Sequence, residues 1–209
     1  MRGLFVTFEG IEHCGKTTQA ERLDAHLRGV GHEVVLTREP GGTPLGASIC
    51  ELLLHSDQSV GTVSELLLFA ADRAQHVASL ILPALEAGQI VISDRFTDST
   101  RAYQGYGRGI DSDLIDRAID LATGGLTPDL TILMDIDVVT SRGRADDPSD
   151  RIEQNADAFF ERVRKGFLNI AEQTPERTHV LDGTEEIDEV ASRIIEAVAH
   201  KLNDQPESS

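Results

Sequence analysis

Residues 10–17 read GIEHCGKT: a glycine, four free positions, then Gly-Lys-Thr. The stretch follows the apolar run LFVTF (4–8) and precedes apolar residues at helical spacing, Ala20, Leu23, Leu27 and Val30. Strand, glycine loop and helix, in that order, form the context in which this pattern wraps a phosphate chain. Gly10 and Gly15 let the backbone turn its N–H groups toward phosphate oxygens. Lys16 supplies a point charge near the β- and γ-phosphates, and the Thr17 hydroxyl can hold Mg²⁺. The nucleotide-contacting segment is therefore expected to comprise Gly10, Ile11, Glu12, His13, Cys14, Gly15, Lys16, Thr17 and Thr18. Its middle is unusual, because it carries an acid, an imidazole and a thiol where small residues are common.

Further apolar, β-rich runs recur at EVVLT (33–37), IVIS (90–93), LTILMDI (130–136) and HVL (179–181). Helical periods lie between them, including Phe159, Val163, Phe167 and Ile170, then Ile187, Val190, Ile194 and Val198. Short, near-continuous apolar runs suit strands buried on both faces, and their alternation with helices implies a parallel sheet between helical layers. No repeat, linker or composition shift marks a second domain. In such sheets ligands gather at the carboxyl ends of the strands.

Two strands end in aspartate, Asp94 and Asp135. Periodicity does not choose between them as the second magnesium-organising acid. Arg95 follows Asp94 directly, so an acid and a cation leave one strand end together, which favours Asp94; Asp135 is expected to be structural. TREPGGT (37–43) reads equally as a Pro-Gly-Gly turn or as a phosphate site in which Arg38 binds bidentately. On the helical stretch 64–88, Phe69 and Arg73 are four apart and share a face. The plain reading makes them a core aromatic and a solvated charge; the sharper one makes them a stacking platform and a reader of a base oxygen. The segment DRFTDSTRAYQGYGRG (94–109) is rich in groups suited to a base edge and sugar. Residues 141–155, SRGRADDPSDRIEQN, interrupt the helical pattern and suit a mobile loop able to close over a triphosphate.

Acidic residues outnumber basic ones 36 to 19, for a net charge of −17. Such a surface repels phosphate backbones, so nucleic acid is not an expected partner. Two cysteines cannot build a disulfide framework. No apolar tract reaches membrane-spanning length and the first residues lack a signal-peptide pattern, so a soluble cytoplasmic protein is expected. A GTP-dependent switch would carry an Asn-Lys-x-Asp motif, which is absent.

FEGIEHCGKTTQ, TREPGGT, DRFTDSTRAYQGYGRG, PDL and SDRIE together resemble the thymidylate kinase family across nearly the whole chain. The combination of REPGGT with DR…AYQG.GRG is specific to it; the phosphate loop alone is not. The resemblance implies a three-layer α/β P-loop NTPase fold with a five-stranded parallel sheet. It further implies a single domain over 1–203, a lid at about 141–152 and a disordered tail at 204–209. The implied activity is a homodimeric, Mg²⁺-dependent transfer of the γ-phosphoryl of ATP to dTMP, giving dTDP and ADP. A kinase for another nucleoside monophosphate or for a deoxynucleoside is the alternative.

By that resemblance Arg38 and Arg95 bind the dTMP phosphate and Phe69 stacks on thymine. Arg73, Thr100 and Gln104 read the base edge, and Tyr103 presses on the sugar. Glu12 lies near the 3′-hydroxyl and the magnesium site, with Thr17 and Asp94 organising the metal. Lys16, Arg95 and the lid arginines Arg142 and Arg144 serve catalysis. The dimer uses apolar helix faces that include part of 64–88. Two departures stand out. His13 occupies a position that is glycine or arginine in the family, and Asp146 and Asp147 stand in a lid that is usually richer in arginine.

Overall fold

β1, Phe5–Glu9, is buried along its whole length, as expected of a central strand. In the computed structural model, which describes residues 2–55, 59–145 and 150–204, it pairs in parallel with β3 (Ile90–Asp94) and β4 (Leu130–Asp135). β2 (Val34–Arg38) and β5 (Thr178–Asp182) complete the five-stranded order β2-β3-β1-β4-β5. These two edge strands depart from the expectation of burial on both faces. β2 is only partly buried and β5 exposes His179 and Val180, because each has one neighbour and incomplete helical cover.

Alternate strand residues enter opposite layers. Val6 and Phe8 of β1 join one core cluster with Leu23 and Leu27 of α1 (Lys16–Gly29) and Ile194 and Val198 of α9 (Ile187–Asn203). Val30 falls outside α1 and is 61% exposed, so the apolar face of that helix ends at Leu27. On the other side Phe5 meets Val77, Ile81, Leu85 and Phe96.

The stretch 64–88 is one continuous rod in three parts. α3 (Thr62–His76) passes through the wider π-helical turns Val77–Ile81 into α4 (Leu82–Glu86). Similar π-helical turns extend α2 (Pro44–Cys50) through Glu51–His55 and α5 (Thr97–Thr100) through Arg101–Gly107. α6 (Ser112–Thr123) packs on α3, α7 (Val138–Arg144) follows β4, and α8 (Asp157–Gln173) packs on the 101–107 turns. Among the described residues, no helix is long and apolar enough to cross a membrane. Residues 205–209 of the expected tail, and Asp146 and Asp147 of the lid, lie outside the described residues.

The sheet register gathers three strand ends in one place. Phe8 pairs with Asp94 and Arg38 pairs with the same Asp94, so the ends of β1, β2 and β3 share one rim.

Candidate active site

The phosphate loop leaves β1 at Gly10 (φ 138°) and enters α1 from Gly15 (φ 95°). A Cβ at Gly10 would stand 2.4 Å from the Met134 carbonyl oxygen, so no larger residue fits there. Lys16 is buried and folds back across the loop, its Nζ donating to the Ile11 carbonyl at 2.7 Å. His13 adopts the left-handed region (φ 56°), uncommon for a residue with a side chain. Its ring reaches over the loop toward Glu153, with Nε2 3.6 Å from Oε1.

At the rim the Thr17 hydroxyl donates to Asp94 Oδ2 at 2.5 Å. Two hard oxygen donors, one of them charged, form a donor set that suits Mg²⁺. Asp135 is engaged differently: Arg164 holds both of its oxygens, at 2.7 and 2.8 Å.

Arg95 is a second residue in the left-handed region (φ 74°). Its guanidinium donates to the Gly10 carbonyl, Ser99 Oγ and Glu12 Oε1, and lies 5.1 Å from the Tyr103 ring centroid. Burial opposes its charge, but the surrounding Tyr103, Glu12, Asp94 and Glu9 outweigh that and raise its pKa. Glu12 Oε1 also accepts from the Tyr103 hydroxyl at 2.6 Å. Glu12 Oε2 is buried and has no hydrogen-bond partner among the described residues.

These groups form one wall of a cleft of about 180 Å³ whose lining also includes Phe69, Arg73, Thr100 and Gln104. Arg73 is 3% exposed, which overturns the reading of a solvated helix charge. Its guanidinium donates to Glu39 Oε2 (2.8 Å), Thr100 Oγ1 (2.7 Å) and the Phe96 carbonyl (2.9 Å). Phe69 is half-buried and lines the cleft, so it is not a closed core aromatic.

Arg38 is set apart from the other residues expected to contact dTMP. It lines a neighbouring hollow with Thr17 and Asp94, and its guanidinium has no hydrogen-bond or ion-pair partner among the described residues. The lid arginines also diverge. Arg142 donates to the Glu153 and Asn155 carbonyls, just beyond the expected lid, and to Asp157. Arg144 reaches the phosphate loop, donating to the His13 carbonyl at 3.3 Å and the Gly183 carbonyl at 2.9 Å.

Several supporting acids were not singled out from sequence. Glu9, 1% exposed, accepts from the Phe96 amide and the Ser99 hydroxyl. Burial, then the nearby Asp98 charge, push its carboxyl up to about 7. Glu39 bridges Arg73 and His76. Glu65 gathers Gln104, Arg108 and Arg151. Burial alone would raise Glu65, but hydrogen bonds from Arg108, Gln104 and Arg151 outweigh it and hold its carboxyl below the usual value. A signal for Glu65 existed, since it lies four residues before Phe69 and eight before Arg73, on the same stripe of α3.

The geometry coincides with the comparisons to known proteins. Residues 8–194 match the family model described as Thymidylate kinase. The chain belongs to the thymidylate kinase family. It is 46% identical to a thymidylate kinase of Geobacter sulfurreducens over 96% of this chain and 98% of that one. It is 56% identical to that of a Synechococcus species (strain CC9605), over 82% of this chain and 86% of the relative. Among solved structures, the thymidylate kinase of Ehrlichia chaffeensis superposes with a TM-score of 0.80 at 40% identity, covering 95% of this chain and all of that one. The α/β P-loop fold is shared with that family member.

Proposed function

We propose that this member of the thymidylate kinase family transfers the γ-phosphoryl of ATP to dTMP, giving dTDP and ADP. The observation that carries the proposal is the cleft at the end of the phosphate loop. It combines an arginine against a half-buried acid with a base-sized wall of fixed polar groups.

The wall's hydrogen-bond polarity favours thymine. Arg73 can only donate, so the Thr100 oxygen accepts from it and the Thr100 hydrogen is left to donate. Gln104 points its amide nitrogen at the Glu65 carboxylate, which turns its carbonyl away from Glu65. Donors and an amide oxygen on one wall suit an edge that offers carbonyl oxygens and an N–H, as thymine does. Cytosine would set its amino group against the donors. Phe69 offers a stacking face, Tyr103 a ring against the sugar, and the orphan Glu12 oxygen an acceptor for a sugar hydroxyl.

The acceptor phosphate has a second pKa near 6, so it is largely dianionic at neutral pH and needs no general base. Catalysis then rests on alignment and charge neutralisation. Lys16 and the loop amides cradle the donor phosphates. Arg95 and Arg38 serve the acceptor side, and Arg144 is the lid arginine positioned over the loop. Thr17 and Asp94 would hold Mg²⁺, which supplies charge neutralisation and orientation to the donor phosphates when bound.

The proposal takes 1–203 as one kinase domain with a lid at about 141–152, working in the cytoplasm on soluble nucleotides. It also takes the chain as a homodimer. One stripe of the α3–α4 rod is apolar and turned outward: Val63 and Leu67 are 59% and 60% exposed, followed by Ala71, Ala78 and Leu82. Sedimentation tests this, with Leu67→Glu expected to shift the protein to monomer and an unchanged dimer counting against that face. For the activity itself, ADP release is measured over a panel of nucleoside monophosphates and deoxynucleosides. dTMP should stand out. A different preferred acceptor would refute the proposal.

A further inference from the structure

Glu65 lies outside the catalytic groups, yet it joins a cleft-lining side chain, Gln104, to Arg151 of a separate segment. It is 1% exposed, and three side chains from two segments donate to it, Gln104 and Arg108 on the 101–108 stretch and Arg151 beyond it. Gln104 Nε2 reaches Oε1 at 3.0 Å. Arg108 reaches Oε1 with Nε and Oε2 with Nη2, at 3.1 and 3.2 Å. Arg151 Nη2 reaches Oε2 at 2.6 Å.

Gln104 lines the cleft, whereas Arg151 belongs to the lid segment. Arg151 also donates from Nε to the Leu53 carbonyl and from its amide to the Leu54 carbonyl, so it staples that segment to the turns after α2. Its neighbours Asp150, Ile152 and Glu153 line the same cleft as Gln104. Arg108 reinforces the joint, donating to Asn155 Oδ1 at 2.8 Å while stacking 4.6 Å from the Phe159 ring centroid.

We infer that Glu65 is a positioning residue that couples base recognition to the docking of residues 150–155 against the cleft, its carboxylate both orienting the Gln104 amide and holding Arg151. This rests on the dTMP-binding reading of the cleft. A carboxylate is an acceptor only, so it dictates which end of the amide faces it. Withdrawal of Arg151 leaves Oε2 with Arg108 and removes a charge-assisted bond from the group that orients Gln104. Undocking Arg151 therefore loosens the base reader, and a correctly bound base favours the docked Arg151 by the same amount, because such coupling is reciprocal.

The test is a double-mutant cycle on dTMP affinity with Gln104→Ala and Arg151→Ala, measured calorimetrically on the full chain alongside thermal stability. Coupling through Glu65 predicts that the double variant departs from the product of the single effects by roughly threefold or more. In Glu65→Gln the KM for dTMP should rise about tenfold, with the KM for ATP nearly unchanged, the effect expected from losing charged hydrogen bonds. A purely structural Glu65 would lower thermal stability yet leave the dTMP cycle multiplicative, and that result overturns the inference. If Arg151→Ala does not fold, Arg151→Lys serves, since its ammonium cannot span Leu53 and Glu65 together. Wild-type protein without dTMP affinity would instead refute the functional reading itself, so the two failures are distinguishable.

Discussion

Replacing Arg95 probes the acceptor side of the cleft and the backbone beneath it in one experiment. Its guanidinium touches Glu12, Ser99 and the phosphate-loop carbonyl of Gly10. Arg95→Ala leaves the Glu12 carboxylate, among the described residues, with the Tyr103 hydroxyl as its hydrogen-bond donor and removes the positive charge from that wall. Loss of an arginine that offsets phosphoryl charge costs roughly 10³ or more in rate, about 4 kcal/mol of transition-state stabilisation. ATP binding should stay nearly intact, since Arg95 contacts the loop only at one carbonyl and at Glu12. Residue 95 also sits at φ 74°, where a side chain is strained. Arg95→Gly should therefore be as inactive as Arg95→Ala but more stable by about 1 kcal/mol. The assay pairs dTMP-dependent ADP release with denaturant unfolding of both variants. Near-wild-type turnover in either variant would refute the catalytic role. Equal stability of the two would refute the backbone argument.

Thr17→Ala removes one member of the hard-oxygen pair with Asp94. It should raise the Mg²⁺ concentration needed for half-maximal rate, and an unchanged magnesium titration would discount that pair. Glu9 makes a pH prediction. Its folded pKa of about 7 lies above the ordinary value of 4.5, so the native state binds the extra proton. Its contribution to stability is full below the unfolded pKa and lost as pH rises through about 7. The unfolding midpoint of wild type should fall relative to Glu9→Gln between pH 5 and 8, and parallel profiles would contradict this. With 36 acidic and 19 basic residues, self-repulsion should be screened by salt. Melting temperature should climb with added KCl, and a flat response would mean the surface charge is locally compensated.

Much of the site was legible because the chemistry is local. The glycine loop declares itself through spacing, and Asp94 with Arg95 comes directly from a strand end. The even reading of TREPGGT and the plain reading favoured for the Phe69–Arg73 pair both needed the third dimension. Whether Arg73 is solvated depends on Glu39, 34 positions away, which fills the interior beneath it. The arginines expected in the lid cannot be sorted by sequence either, since Arg142 and Arg144 differ in which carbonyls, and in the case of Arg142 which carboxylate, the end of α7 brings near. Glu65 and Glu9 read as ordinary charges on a helix and a strand. Only burial turns them into anchors.

If a donor phosphate chain and thymidine monophosphate meet at one rim of the sheet, the phosphoryl group must pass directly between them. Following the reaction by ³¹P NMR with ATP, Mg²⁺ and dTMP tests this most directly. dTDP and ADP should appear in equal amounts, and only while dTMP lasts. Inorganic phosphate released at a rate indifferent to dTMP would contradict it.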